Sequence, residues 1–166
     1  MTPTKKNMVR IHWFLGLAML CGVAYAGSPK FQPVQALPVY GQECAACHLA
    51  YPPALLPAAS WARVMGSLSR HYGADASLEP EQVQEIGRWL QSEAGTGRKV
   101  GSAPPQDRIT RSDWFVREHR KLAPEVWRLP SVQSPAQCNA CHTRANQGSF
   151  NERELHRPAG MNGGFQ

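Results

Sequence analysis

The chain has 166 residues, including 14 Gly and 14 Pro, with 42% hydrophobic, 18% charged and only 8% aromatic residues. That is enough for one ordinary domain or two very small ones, which excludes a large multi-domain enzyme and a wholly disordered chain and predicts a loop-rich fold. The formal charge of +6 is uneven: residues 1–26 carry 3 basic and no acidic side chains, residues 27–97 carry 4 and 6, and residues 98–166 carry 11 and 6.

At the N-terminus, Lys5, Lys6 and Arg10 precede an apolar run from Ile11 to Ala26 that ends in the small-x-small triplet Ala24-Tyr25-Ala26. This is the form of a cleaved secretory signal peptide over residues 1–26. The run falls short of the ~20 apolar residues of a membrane span and holds His12 near its start. Cys21 belongs to the discarded segment, since Leu20 is bulky where a lipoprotein peptidase takes a small residue. The expected exported form is Gly27 to Gln166, with four cysteines and five histidines, and its expected place is the periplasm.

A small exported chain commonly needs disulfides, metal or a cofactor to hold its core. Here all four remaining cysteines fall in two copies of one pattern, Cys44-Ala45-Ala46-Cys47-His48 and Cys138-Asn139-Ala140-Cys141-His142. C-x-x-C-H is the attachment signature of c-type haem. Its two thiols lie about one helical turn apart and reach two vinyl groups of one porphyrin, while the histidine that follows turns its imidazole onto the iron. Structural zinc needs two C-x-x-C pairs that converge, usually about 15–20 residues apart, whereas 94 positions separate Cys44 from Cys138. Disulfides between such pairs leave the histidines unexplained, and a redox C-x-x-C expects a βαβ context that is absent. Two covalently bound haem c groups are the reading, on Cys44, Cys47, Cys138 and Cys141 with His48 and His142 as iron ligands.

After the first motif, Tyr51-Pro52-Pro53-Ala54-Leu55-Leu56-Pro57 is proline-stiffened and extended. It is either a stiff loop or the source of a carbonyl that orients the His48 ring. The spacing of Trp61, Val64, Met65 and Leu68 predicts a helix from Ser60 to Gly73 with His71 on its apolar face. Residues Glu79 to Leu90 read as a second helix, with Pro80 in its first turn and Val83, Ile86 and Leu90 inward. Gly95 to Pro105 reads as a linker between two haem units. Beyond it, Thr110 and Asp113 fit a capping box opening a helix on which Phe115, His119 and Leu122 share a face. A haem needs an apolar wall and its iron a sixth ligand, which makes His71 and His119 the candidates. His48 to His71 and His119 to His142 are both 23 positions, so local pairing is the simplest wiring. Met65 and Met161 are the rival ligands, although Met65 suits a core position. His156 sits in a polar, arginine-flanked tail and reads as exposed, and residues from Met161 onward read as frayed.

Two stretches carry a family likeness. Cys44 to His48 followed by Tyr51-Pro52-Pro53, Leu55-Leu56-Pro57, Ser60-Trp61, Leu68 and His71-Tyr72-Gly73 resembles the N-terminal half of the small bacterial dihaem cytochromes c. Arg108-Ile109-Thr110, Trp114-Phe115, Glu118-His119-Arg120, Cys138 to His142, Ala145-Asn146, Gly148 and Phe150 resemble the C-terminal half. The resemblance implies a mostly α, loop-rich fold of two haem-wrapping subdomains, residues 27–97 and 98–166, the first loosely like a class I cytochrome c. It also implies two bis-histidine haems, carrying over His71 and His119, and an electron-carrier role with an oxygen-binding monohaem cytochrome c and a membrane b-type cytochrome as partners. One departure is that Pro29, Pro33 and Pro38 crowd the approach to Cys44, which argues against the N-terminal helix of an ordinary class I cytochrome c.

With both axial positions closed, each iron only changes redox state, so the function expected is single-electron transfer between proteins, with no catalysis, small-molecule substrate or nucleic acid. The alternative is a peroxidase-like enzyme or gas-binding protein with one open iron, which needs a distal acid-base group that the sequence does not offer. The excess of arginine after residue 98 fits two roles equally, neutralising haem propionates or steering an acidic partner.

Overall fold

The computed structural model describes residues 37–97 and 100–162; the expected signal segment 1–26, Pro29, Pro33, Arg98, Lys99 and Gly163 to Gln166 lie outside them. The described chain is helical and loop-rich. Four short α-helices, α1 (Pro38–Cys44), α2 (Ala58–Met65), α3 (Pro80–Ser92) and α4 (Asp113–His119), are joined by turns of 3-10 helix. The only strand-like pairings among the described residues are two isolated bridges, His71 with Ala74 and His142 with Leu155. No described helix is long and apolar enough to cross a membrane.

The prolines before Cys44 leave room for a short helix, α1. Pro38 occupies its first turn, where the missing N–H has no intrahelical partner to lose and the fixed φ already suits a helix. Proline therefore starts this helix, and its last residue is Cys44, at the mouth of the first motif. Tyr40, 2% exposed, anchors α1: its ring meets Trp89 of α3 at 5.0 Å between centroids and its hydroxyl donates to the Tyr51 carbonyl at 2.7 Å.

Helix α2 is shorter than the apolar periodicity predicts. It starts after Pro57, so Ser60 is a buried residue of its first turn rather than a cap, and it ends at Gly66. A separate 3-10 turn, Leu68–Arg70, then delivers His71. Trp61, Val64 and Met65 of α2 lie against α3, whose Ile86 and Leu90 are sealed from solvent. The Trp61 indole N–H donates to the Pro53 carbonyl at 2.7 Å, so the proline stretch supplies a buried acceptor to α2. Helix α3 spans nearly the expected residues, with Glu79 N–H donating to the Gln82 side chain at 3.2 Å across its first turn.

The second half has less regular structure. Ser112, not Thr110, caps α4: its hydroxyl accepts from Phe115 N–H at 3.1 Å and donates to the Ile109 carbonyl at 2.8 Å, which satisfies a buried polar side chain on both sides. Ile109 belongs to the core of the first half and Trp114 packs against it. Met161 is buried, with its N–H on the Pro158 carbonyl at 3.2 Å. The chain is thus tied down through this residue, where fraying was expected.

The expected linker begins pinned. Gly95 N–H donates to the Leu56 carbonyl at 2.9 Å, and a Cβ at Gly95 would overlap the Ala54 carbonyl and the Val100 side chain. The Val100 methyl can rotate away, but the Ala54 backbone is held within the 3-10 turn Pro53–Leu55. Gly95→Ala should therefore destabilise the haem-loaded protein by about 1–3 kcal/mol, measured as a fall in thermal midpoint; an unchanged midpoint would show that this contact relaxes freely.

Candidate functional site

Each C-x-x-C-H motif lies on a turn that sends its histidine inward. Cys44 closes α1, and Ala45 to Cys47 continue as a turn before His48. In the second motif Cys138–Ala140 is a 3-10 turn, and His142 N–H donates to the Cys138 carbonyl at 2.8 Å. Burial keeps three of these thiols protonated, pushing Cys44 and Cys138 up to about 11 and raising Cys141. A neutral thiol is a poor metal ligand, since the thiolate is the form that ligates.

The structure brings the four candidate histidines together in two pairs. The His48 and His71 rings face each other with centroids 6.0 Å apart and planes at 23°. The His119 and His142 rings stand 6.2 Å apart with planes at 82°. An imidazole on each side of one iron, with bonds of about 2 Å and each ring centre about 1.1 Å behind its nitrogen, separates the centres by about 6.2 Å. Both pairs therefore have the spacing that two imidazoles holding one haem iron between them would need. Among the described residues no group of three or more His, Cys, Asp or Glu side chains converges as a bare cation would require; a porphyrin, which supplies four nitrogens itself, needs only the two.

Hydrogen bonds orient one ring of each pair. His48 Nδ1 lies 2.7 Å from the Leu49 carbonyl and His119 Nδ1 lies 2.9 Å from the Phe115 carbonyl, one helical turn back. A carbonyl accepts only, so Nδ1 carries the proton and Nε2 keeps its lone pair for a metal. The carbonyl that orients His48 is that of its own neighbour Leu49, outside the Tyr51–Pro57 stretch. Burial holds His71 and His119 below the usual imidazole range, and burial together with the facing His119 brings His142 down to about 4. These groups favour the neutral form that ligates.

Aromatic rings build the walls. Tyr51 stacks on His48 at 5.1 Å and 25°, and its hydroxyl donates to the Ala136 carbonyl at 2.9 Å, two residues before Cys138. Phe115 stacks on His119 at 4.1 Å, Trp127 meets His119 edge-on at 5.7 Å, and Phe150 lies 5.1 Å from His142. Trp127, in the Pro124–Arg128 turn, carries no helical or strand periodicity and was not legible from sequence. Met65 and Met161 are both buried, and His156 is exposed; its N–H donates to the Cys141 carbonyl at 2.7 Å, so the tail folds back over the second motif. A cavity of about 970 Å³ has Cys47 and His48 on one side and Gln137, Asn139 and Asn146 on the other. This is the upper end of ordinary ligand-pocket sizes, about 300–1,000 Å³. The two motifs, far apart in sequence, thus border one space.

Comparison with known proteins agrees with this geometry. Residues 40–150 match the family model described as dihaem cytochrome c. Among solved structures, the dihaem cytochrome c of Shewanella baltica OS155 is 33% identical, with a TM-score of 0.62, covering 70% of this chain and 89% of that one. Two structures of dihaem cytochrome c from Rhodobacter sphaeroides are each 39% identical, with TM-scores of 0.58 and 0.61, covering 68% of this chain and 96% and 95% of theirs. No curated protein matches the chain. With two haem-attachment motifs folded around paired histidines and a family match over most of its length, the chain belongs to the dihaem cytochrome c family, as a mostly helical, loop-rich electron carrier with two haem c groups.

Proposed function

We propose that the protein passes single electrons between redox proteins through two bis-histidine haems, one held by Cys44, Cys47, His48 and His71 and the other by Cys138, Cys141, His142 and His119. The observation that carries this reading is the pair of opposed imidazoles at 6.0 and 6.2 Å. A haem held at each pair would supply one-electron chemistry between ferric and ferrous iron. The chain's own part is to close both axial positions and to hold the rings with little rearrangement. It also surrounds them with low-dielectric walls such as Phe115, Trp127 and Tyr51. Histidine in place of methionine lowers the potential relative to Met/His cytochromes.

The same reading divides the exported chain into a first unit, residues 27–97, loosely like a class I cytochrome c, and a second, residues 98–166. It places the protein in the periplasm, delivered there by cleavage of residues 1–26, with an oxygen-binding monohaem cytochrome c and a membrane b-type cytochrome as partners. Around α4, Arg111, Arg117, Arg120 and Lys121 are exposed, as is Val116 at 57%. An apolar residue rimmed by cations near the second haem suits contact with a more acidic partner.

Ligand assignment is tested by substitution. In the two-haem protein, His71→Ala and His119→Ala should each convert one of two haems to a high-spin, carbon monoxide-binding form, read in the visible spectrum. If both variants stayed low-spin while Met65→Leu opened a haem, the assignment would fail.

The ring planes predict that the two ferric haems differ in electron paramagnetic resonance. Near-parallel imidazoles, as for His48 and His71, split the two iron d orbitals of π symmetry and give a rhombic signal. Near-perpendicular ones, as for His119 and His142, leave them close in energy and give a more anisotropic signal with a larger maximum g value. His119→Ala should abolish the second signal and spare the first; loss of the rhombic signal instead would reverse the pairing of signal with site.

Docking is tested by salt. The rate of reduction of an acidic monohaem cytochrome c, followed by stopped flow, should fall as ionic strength rises, and Arg117→Glu with Arg120→Glu should lower it further. A rate indifferent to both would leave these arginines as propionate partners and surface cover.

A further inference from the structure

Four non-glycine residues among those described have left-handed backbone conformations, and three of them meet at one point: Tyr72 at φ +53°, Gln106 at +56° and Asp107 at +54°. Residues with a Cβ disfavour this region and persist there only where surrounding contacts over-determine them. The contacts are present. The Tyr72 hydroxyl proton is shared between the carbonyls of Gln106 and Asp107, each at 3.1 Å. The Asp107 carboxylate accepts from Arg63 Nε at 2.8 Å and Nη2 at 2.7 Å, a two-pronged pair from α2. The Arg108 guanidinium lies 4.3 Å over the Tyr72 ring, and the Arg111 side chain donates to that of Gln106. Residues 106–108 stand at the entry to the second half, yet every one of them reaches the turn that carries His71 or the helix before it.

That turn is thin. His71 follows the 3-10 turn Leu68–Arg70, and its carbonyl accepts from Ala74 at 3.1 Å while Leu68 accepts from Ala76 at 2.9 Å. No α-helix contains His71, whereas His119 is part of α4. Something outside the turn has to set where the His71 ring sits. Tyr72, next in sequence, touches that ring edge-on at 4.9 Å, and a small cavity of about 80 Å³ is lined by Arg63, His71, Tyr72, Gln106 and Asp107 together.

We propose that Tyr72 and Asp107 are positioning residues for His71. Segment Gln106–Arg108, arriving from the second half, clamps Tyr72 and α2 and thereby holds the His71 ring at its 6.0 Å distance from His48. The sixth ligand of the first haem is then conditional on a contact made from outside its own unit, while the second site has its own helix and no such dependence. This rests on the reading of His71 as an axial ligand.

The test uses the two-haem protein with Asp107→Asn, Arg63→Gln and Tyr72→Phe, and His71→Ala as reference. The readouts are the rate of carbon monoxide binding to the ferrous protein and hydrogen exchange of the amides of residues 71–76. Each of the three variants should speed carbon monoxide binding about three- to tenfold, at no more than one of two haems, and quicken exchange at 71–76. Asp107→Glu, which keeps the charge, should recover part of the wild-type behaviour. Arg63 is solvent-exposed, so Arg63→Gln keeps the test available if the variants in the strained turn do not mature. If His71→Ala opens a haem but the three variants bind carbon monoxide at the wild-type rate, even with lowered melting points, the clamp is only a structural cross-link and the proposal is overturned. If His71→Ala itself stays closed to carbon monoxide, the ligand reading fails and the proposal falls with it.

Discussion

Two imidazoles facing each other across about 6 Å are the constraint that the rest of this protein serves. Histidine rings do not take up that separation by themselves. At 6.0 and 6.2 Å they are too far apart to gain from direct contact, and both carry polar nitrogens that burial penalises. The chain keeps them there by tying Nδ1 of His48 and of His119 to a backbone carbonyl and by covering the rings with Tyr51, Phe115, Trp127 and Phe150. A haem iron held between the rings, as proposed, would resolve the tension by giving each remaining nitrogen a partner.

The two halves meet this constraint by different means. In the first, α1, α2 and α3 share a core centred on Tyr40, Trp61, Ile86 and Leu90, and the histidines hang from its edge on turns. In the second the described residues include one α-helix, and the rest is short 3-10 turns and irregular chain around Val126, Val132, Cys141 and Ala145. A segment with so few buried apolar side chains stabilises little by packing alone. A large apolar ring bonded to Cys138 and Cys141, as proposed, would be physically a further core residue. Cofactor retention and folding of the second half are in that sense the same problem.

The halves are also stitched at several points. Tyr51 stacks on His48 and reaches the carbonyl of Ala136 near the second motif; Ile109 enters the first-half core; Asp107 grips Arg63. The Arg63–Asp107 pair, open to water on the arginine side, contributes only modestly by itself. Its weight comes from acting together with the Tyr72 hydroxyl and the Arg108 stack on residues already held in a left-handed conformation. For a carrier of electrons between two irons, fixed relative placement of the two sites matters more than the strength of any one contact.

What the sequence determined by itself is the chemistry, because C-x-x-C-H is a local pattern: five consecutive residues contain both thiols and the imidazole that a haem c uses. Helix α3 was legible for the same reason, since a proline start and a regular apolar face act within a few turns. His71 and His119 could be singled out by residue type, but only the tertiary structure brings them opposite His48 and His142, turns one pair of planes to 23° and the other to 82°, and adds Trp127 to the wall. Competing local forces decided the remaining elements. Pro38, one of three prolines that weighed against the N-terminal helix of an ordinary class I cytochrome c, starts a short helix of its own, because position within the helix decides which of its two effects operates. The apolar repeat through Leu68 promised one helix to Gly73, yet the chain breaks at Gly66 into a tighter turn. That break lets Tyr72 take a left-handed conformation and meet Gln106 and Asp107, a contact between residues more than thirty positions apart that no local pattern encodes.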